Sequence, residues 1–279
     1  MLRMSLAGPQ RCGQLTIFPL VAASDVHLPY DTLESAVTSG TLTIQEKVGE
    51  PGLLLAANSS PRPVLILNGE QPMGLHHPFL ASQSMLLAPE DVTEIPVSPM
   101  RFMHSGPPGF RSPDAPGPDS HDPGDARHQV SPVEGPDGLA RPDSPDAIPA
   151  PGLERAFTIV ERQVGLLAFS GPWFLGLDAL GAQNLYAPLH SRILEGYLMA
   201  ARAHGEVPES HGPVGEGEAS AVLALLERAE RTHCGAVGVG QYSMFGGPIR
   251  GGELFHDDHL VHLSVFPVTE WAPTGKHPH

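Results

Sequence analysis

The stretch Asn58–Ser98, NSSPRPVLILNGEQPMGLHHPFLASQSMLLAPEDVTEIPVS, decides the fold class. Two short apolar runs, Pro63–Leu67 and Met85–Leu87, each give way to turn chemistry. Asn68–Gly69 is a tight-turn pair, and Pro89–Glu90–Asp91 is a second turn leading into the β-type run Thr93–Val97. Between them lies a polar stretch, Glu70 to His77, that carries two histidines. A β scaffold presenting such a loop has the geometry of a binding site.

The same punctuation extends outward. Leu15–Val21, Thr41–Val48, Leu53–Ala57 and Leu80–Leu87 read as further strands, and Leu42 and Ile44 alternate with Thr41, Thr43 and Gln45 as a half-exposed sheet requires. Pro19 places the first of these at a sheet edge or a strand end. Tyr30–Ser39 reads as a short helix, with Asp31 as its cap and Gly40 as its stop. Short strands in quick succession imply an antiparallel, sandwich-like N-terminal part over residues 14–103.

Residues 104–152 differ. They are dominated by Pro, Gly, Asp and Ser, with few large apolar side chains, and His104, His121 and His128 are scattered among them. Such a tract buries too little surface to offset its ordering entropy, so the expectation is a disordered insert. The globular pattern returns over 153–270. Val164–Ser170 and Trp173–Leu177 form a hairpin pattern around Gly171–Pro172. Leu185–Ala203 is helical, with Leu185, Leu189, Ile193, Leu194, Tyr197 and Leu198 on one face and Pro188 in the first turn or at a kink. Gly217–Thr232 is a second helix, acidic early and basic late. Ala236–Phe245, Gly252–Phe255 and His259–Val268 close the chain as strands. The fold class expected is α+β: an antiparallel β-sandwich-like N-terminal part packed with a C-terminal part of strands and two helices.

Composition narrows function. The 279 residues are 41% hydrophobic, enough for a sizeable core, and the net charge of −15 opposes both nucleic-acid and anionic-membrane partners. Cys12 and Cys234 are the only cysteines, which excludes a four-cysteine zinc site and argues against a disulfide framework. No apolar run has signal-peptide or membrane-span length, so a cytoplasmic protein is expected.

Several motifs carry a resemblance. Thr16–Leu20 (TIFPL), Leu67-Asn68-Gly69-Glu70, the Gly74–Phe79 run and Ile95-Pro96-Val97-Ser98 resemble a bacterial family associated with ADP-ribosylglycohydrolases and rhodanese-phosphatases. The later segments QVGLLAF, FLGLDALG and HLVHLSVF are similar too, so the resemblance covers nearly all of the chain outside the insert. The family's turn is of LDGEEL type, its loop runs G-A-K-Q-N-R, and its IPVS is followed by Cys-Val-Glu. Here Asn68 replaces the Asp, His76-His77-Pro78-Phe79 replaces the Lys-Gln-Asn-Arg cluster, and Arg101 replaces the terminal Glu. Glu70, Gly69, Gly74 and Ser84 are retained. The resemblance implies a nucleotide or ADP-ribose-type ligand, or a partner protein in that pathway.

Two constellations could carry chemistry. The first is Glu70 with His76 and His77, joined by Arg101 as a phosphate anchor. These residues read as a ligand-binding set, with Glu70 as the candidate general base and His76 and His77 as candidate metal ligands. The second is His256-Asp257-Asp258-His259-Leu260-Val261-His262, whose three imidazoles suit zinc by type. However, Asp257–Asp258 is also an ordinary hairpin turn, and the odd offset from His259 to His262 sends those side chains to opposite faces of a strand. No motif names a cofactor: the glycines around Gly238 and Gly246–Gly252 lack a following GKS/T, and there is no G-x-S-x-G elbow. The leading expectation is a binding module for a small molecule or protein partner. The alternatives are a metal-assisted hydrolase and a structural interaction domain.

Overall fold

The long apolar runs of the C-terminal half contain few polar letters because the strands they form are covered on both faces. A computed structural model describes residues 4–50, 52–71, 79–99, 155–203, 212 and 214–268. The insert expected at 104–152 lies outside them. The described part of the first half supplies β1 (Met4–Leu6), β2 (Gln10–Cys12), β3 (Leu15–Ala22), β4 (Asp31–Thr32), α1 (Leu33–Thr38), β5 (Leu42–Glu46), β6 (Leu53–Asn58), β7 (Val64–Ile66), β8 (Phe79–Ala81), β9 (Met85–Leu87) and β10 (Asp91–Pro99). The second half supplies β11 (Gln163–Ser170), β12 (Trp173–Leu180), α2 (Gln183–Ala203), α3 (Glu216–Arg228), β13 (Arg231–Cys234), β14 (Gln241–Phe245), β15 (Ile249–His256) and β16 (His259–Pro267). The protein is α+β.

A nine-stranded antiparallel sheet runs β1-β3-β11-β12-β16-β15-β14-β13, with β2 also paired to β3. The N-terminal strand β3 is hydrogen-bonded to β11, so the two halves share one sheet. Pro19 is therefore inside the sheet and not at an edge. It is tolerated because β1 pairs with residues 20–22 and β2 with 15–17, leaving Pro19 opposite the connection between them. A missing N–H costs least where the ladder is already broken. On its other side Pro19 pairs in regular register with Leu166 of β11.

Helix α2 covers one face of this sheet, packing Leu185, Leu189, Ile193 and Tyr197 against Leu166, Leu175 and Leu180. Helix α3 covers the opposite face, where Ala219, Val222 and Leu226 meet Phe18, Phe174, Leu177 and Leu263. Every residue of β11 is buried as a result. Two smaller sheets complete the fold, β5-β6-β10-β8 and β4-β7-β9. In the three-stranded sheet Val64, Ile66, Met85 and Leu87 face a core shared with α1, whereas Leu65, Leu67 and Leu86 join the α2 core. β7 thus reads as an unbroken apolar run because it divides two cores. β9 also reaches the second half directly, where the Val239 amide donates to the Leu86 carbonyl at 2.8 Å.

Three local expectations are corrected. Leu80–Leu87 is two strands in different sheets, separated at Ser82–Ser84. Ala236–Phe245 is likewise interrupted: it makes a single bridge to β9 at Gly238, and the strand β14 begins at Gln241. Helix α1 is capped by Thr32, whose Oγ1 accepts the Ser35 amide, because Asp31 is drawn into a salt bridge with Arg62 at 2.7 Å and a bond from Ser60 at 3.2 Å. The His256–His259 turn matches expectation: Asp257 and Asp258 both have positive φ, +49° and +62°, as a two-residue hairpin of this hand requires.

Candidate functional site

The Asn68–Gly69 turn is built as the residue pair dictates. Glu70 N donates to the Leu67 carbonyl at 3.0 Å, and Gly69 takes φ +79° at the third position, as in a type II turn. The turn is stitched to β8 by Gly69 N to Ala81 O (2.7 Å) and Ala81 N to Glu70 O (2.9 Å). Its carboxylate points inward. Glu70 is 2% exposed, and Oε2 accepts the Leu67 amide at 2.8 Å. Oε1 meets Arg192 Nη1 of α2 at 2.9 Å, and the other arm of that guanidinium reaches Glu34 at 2.9 Å. A carboxylate this buried needs such partners to remain ionised. With both oxygens so engaged, Glu70 clamps the turn to α2.

A second polar chain starts one residue from β9. Ser84 Oγ accepts the Asn68 amide at 2.8 Å and lies 2.7 Å from His262 Nδ1. His262 Nε2 lies 3.2 Å from Asp178 Oδ1, and Tyr197 donates its hydroxyl to Asp178 Oδ2 at 2.7 Å. Ser84, His262, Asp178 and Tyr197 are each no more than 2% exposed. One set of protons satisfies every link: Ser84 O–H to Nδ1, Nε2–H to Asp178, and Tyr197 O–H to Asp178. The sheet register places the members. Asp178 pairs with Ser264 and Leu180 with His262, so the carboxylate and the imidazole are diagonal neighbours on the α2 face. Tyr197 reaches down because Gly176 leaves room: a Cβ there would stand 2.9 Å from its hydroxyl.

A third chain lies further along α2. Gln163 Nε2 donates to Tyr186 O (2.9 Å), Tyr186 donates to His190 Nδ1 (2.8 Å), and His190 Nε2 donates to the Phe157 carbonyl (3.1 Å). Burial pushes the Tyr186 hydroxyl far above its ordinary range and lowers His190, so both remain neutral links.

The residues picked out from sequence fall in different places. His76, His77 and Arg101 lie outside the described residues. His256 Nδ1 is hydrogen-bonded to Tyr30 at 2.9 Å, His259 is exposed, and His262 is buried in the Ser84–Asp178 chain. Burial, then the Asp257 charge, raise the Tyr30 hydroxyl, which keeps it a donor. No group of three or more His, Cys, Asp or Glu among the described residues is arranged to hold a metal ion. Sequence reasoning missed Asp178, Tyr197 and Arg192, and it weighed His262 only as a metal ligand. The available signal was the lone Asp in FLGLDAL and the second His in HLVHLSVF: a polar letter in a strand buried on both faces has to find a partner inside.

The sequence matches the family model of the ARG and Rhodanese-Phosphatase-superfamily-associated Protein domain, ARPP-1, over residues 3–99 and 152–266. The chain belongs to the ARPP-1 family. The match stops where the proline-rich tract begins and resumes where it ends, and it takes in every residue of the Glu70 clamp and of the Ser84–Asp178 chain. The name of ARPP-1 ties the family to ADP-ribosylglycohydrolases and to the rhodanese-phosphatase superfamily. No curated protein and no solved structure matches the chain. No helix among the described residues is long and apolar enough to cross a membrane.

Proposed function

We propose that this ARPP-1 chain is a binding module for a nucleotide or ADP-ribose-type ligand, or for a partner protein that handles one. One observation carries the reading. Polar side chains from α2, β12, β16 and the β8–β9 connection, all buried except the half-buried Arg192, converge behind a single turn, Leu67–Glu70. A fold invests desolvated polar groups where a backbone must be held in one shape, and this turn launches the segment that carries His76 and His77. The ligand class is supported by the family's association, and the net charge of −15 favours a discrete ligand over nucleic acid.

Thermal unfolding with ADP-ribose, NAD and simple nucleotides tests it. A ligand at a hundred times its dissociation constant adds about 2.7 kcal/mol. The expected result is a shift with ADP-ribose that is lost in Arg101→Ala or in the His76→Ala/His77→Ala pair. No shift with any of these compounds at millimolar concentration would overturn the reading.

A further inference from the structure

The chain Ser84–His262–Asp178 has the connectivity of a nucleophile, a base and an orienting carboxylate, and nothing in the binding reading uses it as such. We infer that these residues form a catalytic relay that hydrolyses a small acyl ester, with Ser84 as nucleophile, His262 as general base and acid, and Asp178 as the group that orients and charge-balances the imidazole. The inference goes beyond the proposed ligand class and does not depend on it.

Four observations support it. The Oγ–Nδ1 separation of 2.7 Å and the Nε2–Oδ1 separation of 3.2 Å are both within proton-transfer reach. The carboxylate is fully buried and held by Tyr197, so it resists reorientation as the imidazole becomes charged. The Asn68 amide donates to Ser84 Oγ and holds the hydroxyl in place, leaving its proton directed at His262. Finally, the Nε2 of the adjoining Gln83 is buried with no hydrogen-bond partner among the described residues. A buried amide donor left over on the residue next to the nucleophile in sequence is open to an acceptor such as a carbonyl oxygen.

The chemistry balances without a cofactor. Ser84 Oγ bonds to the ester carbonyl carbon as its proton passes to His262 Nδ1. The carbon–alkoxy bond then breaks, and the leaving alcohol takes that proton. Water next attacks the acyl-serine, gives one proton to His262, and Ser84 Oγ departs and recovers it. Ester and water become acid and alcohol. Ser84 is 2% exposed, so the ester we infer is that of a short acyl group, acetyl and not a long chain.

Methanesulfonyl fluoride tests the inference on the full chain. Attack by Ser84 forms an O–S bond and expels fluoride, and mass spectrometry locates the adduct. The expected result is modification at Ser84, slowed at least tenfold in His262→Gln, together with turnover of p-nitrophenyl acetate but not of the octanoate. Ser84→Cys, which keeps the packing, is expected to be alkylated by iodoacetamide faster than Cys12 or Cys234. Circular dichroism establishes that each variant is folded. A folded wild type that gains no adduct at Ser84, or gains one at the same rate in folded His262→Gln, overturns the relay. Loss of the ADP-ribose shift without loss of the adduct would strike only the binding reading.

Discussion

The two faces of the large sheet are covered by one helix each, yet they are chemically unlike. The α3 face is apolar at its centre: Phe18, Phe169, Phe174, Leu177, Leu263 and Val265 meet Ala219, Val222 and Leu226, and its main ion pair, Arg231–Glu253, sits at the rim with Arg231 30% exposed. The α2 face holds Asp178, His262, Tyr197, Tyr186 and Gln163 at its centre, all buried. An apolar face needs only volume and shape, and many side-chain sets satisfy it. A face with desolvated polar groups tolerates few arrangements, because each donor needs one acceptor in one place. The polar α2 face is where this molecule is specified for more than folding.

The sharpest way to break that contrast is at Asp178. Asp178→Ala strands the His262 and Tyr197 donors, and a loss of about 3–5 kcal/mol in urea unfolding is expected. On the α3 face Leu177→Ala is expected to cost about 2–5 kcal/mol through its cavity. The two losses differ in how they respond to a second change. Adding His262→Leu to Asp178→Ala removes an unpaired donor and recovers part of the loss. Adding Leu263→Ala to Leu177→Ala only deepens the deficit. Equal behaviour of the two pairs would mean that the faces do not differ in kind.

The Glu70 clamp grades the same idea along one guanidinium. Glu70→Gln leaves Arg192 facing a neutral buried amide, and about 1–3 kcal/mol is expected to be lost. Glu34, the other partner of Arg192, is 65% exposed, and Glu34→Gln is expected to stay within about 0.5 kcal/mol. On the opposite face Arg231 pairs with Glu253, caps the α3 end through the Leu226 and Ala229 carbonyls, and stands 5.1 Å over the Phe245 ring. Arg231→Lys loses the planar fork and the stacking, and about 1 kcal/mol is expected. Urea midpoints order these three variants.

Much of the fold was legible because turns and periodicity are local. The 163–180 hairpin, helix α2, the start of α3, the Asn68–Gly69 turn and the Asp257–Asp258 hairpin each follow from residues adjacent in sequence, whereas the helix expected to run to Thr232 ends at Arg228 and gives way to β13. The misread positions all depend on distant partners. Pro19 looks like an edge signal until the connection between β1 and β2 is in place opposite it. Asp31 looks like a helix cap until Arg62 and Ser60 claim it. The polar site was legible only in part. Glu70 and Ser84 stood out through the family's motifs, but Ser84 meets His262 across 178 residues and Asp178 meets it across 84. No spacing rule reaches that far.

The smallest effect expected on the α2 face concerns pH. Burial holds His190 below its ordinary value of 6.5, against the opposing pull of the Phe157 carbonyl. The unfolded chain therefore binds this proton more readily than the folded one. Stability from the neutral ring is complete above about pH 6.5 and declines as the pH falls towards the folded value. Urea midpoints at pH 7.5 and 5.5 are expected to fall less in His190→Gln than in the wild type, because the glutamine amide has no proton to gain. A wild-type slope in His190→Gln would show that the neutral imidazole chain does not set the acid limit of this face.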